Sequence, residues 1–110
     1  MENTDMHIQV NTDKNISGHE TLIRNIEETL NHILARFAGQ ITRLEVHLSD
    51  ENSTSKSDVI DKRCLLEARL AGRELTSVSD IALSVDQAVR GAAHKMVSLL
   101  ESEIGKLRNH

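Results

Sequence analysis

The chain has 110 residues, 13 Lys and Arg against 17 Asp and Glu, and a formal net charge of −4, which is the length of one domain and argues against a partner recruited by overall positive charge. There is no Trp or Tyr and Phe37 is the only Phe, so the chain lacks the aromatic platform on which splayed single-stranded bases stack. Cys64 is the only cysteine and cannot make an internal disulfide, no apolar run approaches the ~20 residues of a membrane span, and "MENTDMHIQV" has neither the basic start nor the apolar core of a secretory signal. Together these fit a cytoplasmic protein with no membrane partner.

Residues 6–12, "MHIQVNT", alternate, with Met6, Ile8 and Val10 on one side and His7, Gln9 and Asn11 on the other. Period two predicts a strand with one buried face. Ser17 and Glu20 then have the spacing of a capping box, which predicts a helix start. Leu22, Ile26, Leu30, Ile33 and Phe37 follow at helical spacing, with Ile23 and Leu34 widening the stripe. The spacing predicts an amphipathic helix of about five turns, closed by a left-handed cap at Gly39.

"ITRLEVHLS" alternates again, with Leu44, Val46 and Leu48 on one face and Arg43, Glu45 and His47 on the other. Residues 49–61, "SDENSTSKSDVID", are acidic and serine-rich without periodicity and predict a long flexible loop. In "KRCLLEARLAG", Cys64, Leu66, Ala68 and Leu70 share one face and Arg63, Leu65, Glu67 and Arg69 the other. Gly72 should make a tight turn into "RELTSVSD", a fourth strand with a weaker pattern. Ser84 and Gln87 form a second capping box, and Val85, Val89, Ala92, Met96, Leu99, Leu100, Ile104 and Leu107 draw a helical stripe. Gly91 costs that helix ~1 kcal/mol relative to alanine; it either permits close approach to the sheet or is simply tolerated.

The order β-α-β-β-β-α predicts a single α+β domain over 1–110. Its first β-α-β unit should be a parallel crossover and the remaining strands an antiparallel meander. Each strand has one apolar face, so both helices must cover the same side of a four-stranded mixed sheet. The result is a two-layer sandwich whose other sheet face is bare and polar.

No catalytic constellation emerges. Alternation places Cys64 under the helices, away from any base. His7, His19, His32, His47, His94 and His110 match no metalloprotease or Cys/His ligand spacing. His7 and His47 fall on the same polar face of neighbouring strands, but two ligands rarely hold a metal. There is no glycine-rich phosphate loop, and Asp50–Glu51 has nothing to position it. The expectation is a non-enzymatic protein with no cofactor, no metal and no small-molecule substrate.

What remains is a surface. Charge is segregated: four acids face one cation from Asp50 to Asp61, and four cations (Lys62, Arg63, Arg69, Arg73) face one acid, Glu67, from Lys62 to Arg73. Arg43, Arg63, Arg69 and Arg73 stud the bare face or its rim, and Arg24, Arg36, Arg90, Lys95, Lys106 and Arg108 lie along the helices. Guanidinium groups present a fork of donors that suits phosphate oxygens. A solvated face with cross-strand ion pairs, Arg63 or Arg69 with Glu45 or Glu67, satisfies the same pattern.

From Met6 to about Leu107 the chain resembles the ribosome hibernation-promoting factor family, the ribosome-associated inhibitor and sigma-factor modulation proteins. The resemblance rests on the element order and on "ITRLEVHLSDEN", "DKRCLLEARLAGR" and "DQAVRGAAHKMVSLLESEIGKL" taken together. It is closest to a short single-domain branch without the C-terminal dimerisation domain of longer members, which implies a monomer or weak homodimer. The resemblance implies a cytoplasmic, stress-related factor on the small ribosomal subunit, silencing translation through basic contacts to ribosomal RNA phosphates. Lys95 matches a lysine that better-known members carry after an alanine-rich turn like "AVRGAA". The candidate RNA-binding residues are therefore Arg43, Lys62, Arg63, Arg69, Arg73, Arg90, Lys95, Lys106 and Arg108. Where those members have a richer basic run, this chain has "MVSLLESE". The alternative is a protein-interaction module of the same fold that has lost the RNA surface.

Overall fold

The alternating N-terminal segment forms a five-residue strand, β1 (Ile8–Thr12), in a computed structural model that describes residues 6–13, 16, 20–50 and 61–108, with side chains as far as 105. Helix α1 (Glu20–Ile33) follows, then a 3₁₀ turn over Ala35–Phe37. Strands β2 (Ile41–Asp50), β3 (Lys62–Leu70) and β4 (Leu75–Ala82) lead into the long helix α2 (Val85–Arg108). The sheet order is β1-β2-β3-β4, with β1 and β2 parallel and the other neighbours antiparallel. This is the predicted β-α-β-β-β-α arrangement, a parallel crossover followed by a meander.

Alternation does the sorting. Leu44, Val46 and Leu48 of β2 and Cys64, Leu66, Ala68 and Leu70 of β3 are buried, and they join Ile26, Leu30, Leu34 and Phe37 on one side and Ala88, Val89, Ala92, Ala93, Met96 and Leu100 on the other in one core. Each large aliphatic side chain fully withdrawn from water contributes roughly 1.5–3 kcal/mol. Both helices therefore lie on one sheet face because only that face offers apolar area. Ala88 and Ala93 extend the stripe predicted for α2. Their small side chains let the helix lie low over β3 and β4.

Gly91 shows how low. A Cβ there would stand 1.7 Å from Oδ2 of Asp80 on β4, so any other residue would force the Asp80 side chain to move. Of the two readings of Gly91, close approach is the one observed. Ser84 caps α2, accepting the Gln87 amide at Oγ (3.2 Å).

The first helix departs from expectation at its end. Its α-helical stretch stops at Ile33, and Leu34 (φ −100°, ψ 14°) opens a tighter turn in which the Phe37 amide donates to Leu34 O at 2.9 Å and the Ala38 amide to Ala35 O at 3.1 Å. With three residues per turn, Leu34 and Phe37 fall on the same side, and both are buried. The tighter turn gives the Leu34 and Ala35 carbonyls partners without a left-handed residue. Gly39 accordingly has no positive φ; among the described residues only Gly72 does, at 70°, where it turns β3 into β4. The predicted Ser17–Glu20 capping box involves Ser17, which lies outside the described residues.

The predicted loop over 49–61 is overlapped by β2 at its start. Ser49 and Asp50 belong to β2, where they pair with Arg63 and Lys62, while Asp61 is buried. Residues 51–60 lie outside the described residues.

Candidate nucleic-acid interface

Opposite the helices, the sheet presents a ladder of outward side chains. Register places Gln9, Glu45, Glu67 and Ser77 in one row, Asn11, His47, Leu65 and Ser79 in the next, and Ser49, Arg63 and Ile81 in a third. At the other end Arg43 lies opposite Arg69, which lies opposite Leu75. Three of the predicted residues, Arg43, Arg63 and Arg69, are thus brought onto the helix-free face. All three are exposed.

They are not equally available. Arg43 pairs with Glu45 at 2.9 Å and donates to the Gln9 side chain. Arg63 and Arg69 have no ion-pair partner among the described residues. Like charges directly opposite one another disfavour a closed, self-neutralised surface, and the Arg43–Arg69 pair leaves a cation over at that end. Arg69 shares a shallow hollow with Arg43, Glu45, Glu67 and Leu75. Arg63 shares another with Ser79, Asp80, Ile81 and Lys95.

Lys95 reaches that second hollow from α2. Its ammonium donates to Asp80 Oδ1 at 3.1 Å and to the Ser79 carbonyl at 2.9 Å. It therefore covers an exposed carbonyl of the edge strand, a role that also discourages pairing of that edge with another strand.

The remaining candidates are scattered. Lys62 lies between Asp61 (2.7 Å) and Asp50 (3.4 Å). The hydrogen bond from Lys62 to Asp61, reinforced by the Asp50 charge, raises the lysine above its ordinary pKa. Asp61 is 2% exposed and its Oδ2 has no hydrogen-bond partner among the described residues, so Lys62 neutralises a buried carboxylate. Arg73 ties the β3–β4 turn to α2 through Glu103 at 3.0 Å. Arg90 pairs with Asp86 one helical turn away, also at 3.0 Å. Lys106 and Arg108 fall in the last turns of α2, where their side chains lie outside the described residues.

Three groups take roles in the structure other than those expected from the sequence. Arg36 stacks 4.9 Å from the centre of the Phe37 ring and pairs with Glu101 at 2.6 Å, joining the end of α1 to α2. Asp80 faces inward opposite Cys64 and sits beneath Gly91. Glu67 lies 3.1 Å from His47 Nε2, which is 3.5 Å from Glu45. The Glu45–His47 part could have been read from their spacing of two on one strand; adding Glu67 requires the β2–β3 register.

Cys64 is fully buried, and burial, aided by the Asp80 charge, pushes its thiol up to about 12. A thiol held neutral in the core is no nucleophile. Among the described residues no helix is long and apolar enough to cross a membrane.

No family model matches the chain, and no curated protein does. Solved structures do. The N-terminal domain of Protein Y from Thermus thermophilus superposes with a TM-score of 0.69 at 16% identity, over 88% of this chain and 98% of that one. A ribosomal subunit interface protein from Coxiella burnetii superposes with a TM-score of 0.69 at 18% identity, over 96% of this chain and 100% of that one. At these identities the likeness is one of fold: a four-stranded mixed sheet with two helices on one face and the other face open.

Proposed function

We propose that this chain is a ribosome-associated, translation-silencing factor of the hibernation type. In this reading the open sheet face docks on phosphates of folded small-subunit ribosomal RNA. The observation that carries it is the pair Arg63 and Arg69, exposed on a helix-free face and without ion-pair partners among the described residues, in a fold shared with a ribosomal subunit interface protein. Each guanidinium can grip a phosphate with two parallel donors. Arg43 flanks Arg69, and Lys95 stands beside Arg63 at the edge. The open face carries no stacking ring, since the sole aromatic side chain, Phe37, is buried, which suits recognition of RNA by shape and backbone rather than by unstacked bases. The factor acts by occupying its site, without a reaction or a cofactor, and works in the cytoplasm.

Sucrose-gradient sedimentation of cell extract tests this. The protein should travel with small subunits or whole ribosomes at low salt and be released as salt rises, since phosphate contacts displace counterions. Retention at the top of the gradient at low salt would sink the proposal.

A second reading, a protein-interaction module, is favoured by a specific observation. Arg43, Lys62, Arg73, Arg90 and Lys95 are already neutralised within the chain, while Leu75, Ile81 and Leu83 are exposed along and just beyond β4. Pull-down after nuclease treatment separates the two. A partner that survives loss of RNA supports the module.

A further inference from the structure

We propose that Glu45, His47 and Glu67 form a binding site for a divalent transition-metal ion of the zinc, cobalt or nickel type on the open face of the sheet. One ligand atom from each residue lies within 4.8 Å of the other two. The imidazole Nε2 stands 3.1 Å from Glu67 Oε1 and 3.5 Å from Glu45 Oε1. Two donors bonded to one tetrahedral zinc at about 2.0–2.2 Å are separated by about 3.3–3.6 Å. The two His–Glu spacings are therefore close to those of a shared ion, and small side-chain rotations complete the set.

The scaffold favours convergence. Glu45 and His47 project from β2 and Glu67 from β3, the two inner strands of the sheet, each hydrogen-bonded on both sides. Ligands on paired inner strands are held more firmly than ligands on loops. Glu45 and Glu67 are direct cross-strand partners, and like charges in that relation repel. One neutral imidazole nitrogen can donate to only one of these carboxylates at a time, whereas an ion bonded at Nε2 balances both. Glu45 is also oriented from behind: its other oxygen, Oε2, accepts from Arg43 at 2.9 Å, leaving Oε1 turned toward His47. Such outer contacts orient the ligating atoms of metal sites.

The donor set selects the ion class. One imidazole and two carboxylates suit borderline transition ions better than magnesium or calcium, which prefer all-oxygen shells. All three side chains retain solvent contact, between 26% and 39%, so water can fill the remaining coordination positions. Neither of the two histidines weighed from the sequence as partners finds the other here: His7 stands outside the cluster, and the additional ligands of His47 are carboxylates.

The site is independent of the ribosome reading and is tested on the isolated, untagged 110-residue chain after chelator dialysis. Titration with Co²⁺, followed by visible absorption, and with Zn²⁺, followed by calorimetry, should each show one equivalent bound. His47→Gln and Glu67→Gln should each weaken binding about tenfold or more, and His7→Gln should leave it unchanged. Imidazole NMR of the unmutated protein gives a reading that needs no variant: His47 should be the first of the six histidines to shift on adding Zn²⁺. No binding of either ion at millimolar concentration would overturn the site, as would binding that survives His47→Gln or zinc that shifts another histidine first. Displacement of Zn²⁺ by equimolar Mg²⁺ would overturn the assigned ion class.

Discussion

The two faces of the sheet are made from the same strands, yet they treat charge in opposite ways. Around the core, Asp80 faces α2 and Asp61 lies buried just before β3, and each is matched by a lysine, Lys95 and Lys62. On the open side, charges stand in rows of like sign, Glu45 opposite Glu67 and Arg43 opposite Arg69, and two arginines have no ion-pair partner among the described residues. A buried charge left unmatched is strongly unfavourable, whereas an exposed one costs little because water solvates it. The helix face is therefore fixed by folding, and the open face is where binding can act on sequence.

The largest predicted effect breaks the helix face. Cys64→Arg places a cation among fully buried neighbours and should cost more than ~4 kcal/mol, enough to unfold the domain in urea melts or circular dichroism. Lys62→Ala should destabilise less than that but clearly more than removal of any open-face arginine, because it strands the Asp61 carboxylate. Equal effects for Lys62→Ala and Arg63→Ala in denaturant melts would contradict the division between faces.

Gly91→Ala tests the contact between α2 and β4. Its Cβ collides with Asp80, so Asp80 must swing away and its pairing with Lys95 must break. Overpacking of this kind costs about 1–3 kcal/mol, partly offset by the ~1 kcal/mol alanine gains in a helix. In an Asp80→Gly background the collision disappears, and Gly91→Ala should become neutral or stabilising. A double-mutant cycle with no coupling would show that the close approach is unimportant.

Cys64 sharpens the comparison chemically. Its folded pKa lies above the unfolded value, so folding favours the protonated thiol. That contribution is complete below the unfolded value, near pH 9, and is lost as pH rises toward 12. Alkylation in native buffer at neutral pH should be slow and should become fast on denaturation. Rapid labelling of the folded protein would mean that Cys64 is reachable.

Much of this division can be read from the sequence because period-two alternation is a local property. Arg63, Cys64, Leu65 and Leu66 go to opposite faces whatever the rest of the chain does, and the second capping box at Ser84 likewise needs only its neighbours. The end of α1 is different: whether Phe37 is buried by an α-turn or a 3₁₀ turn depends on the core it must reach, and spacings of three and four fit either. The fate of individual cations is equally non-local. Lys62 and Arg63 are adjacent in the chain, but Lys62 is committed to Asp61 and Asp50 while Arg63 is not, and Lys95 meets Asp80 where α2 lies close over β4 at Gly91. The Glu45–His47–Glu67 cluster required the strand register, which the composition of residues 49–61 does not reveal.

The smallest effect on stability should be the largest on binding. Arg63→Ala combined with Arg69→Ala should change folding stability by no more than ~1 kcal/mol. Sedimentation of this folded double variant beside the unmutated protein, in ribosome-containing extract over a series of salt concentrations, tests the central claim most directly. The account predicts that the unmutated protein moves with ribosomal particles at low salt, and that the variant binds more weakly with a salt dependence flatter by about two units of logarithmic slope. Equal co-sedimentation of the two proteins at every salt concentration would contradict it.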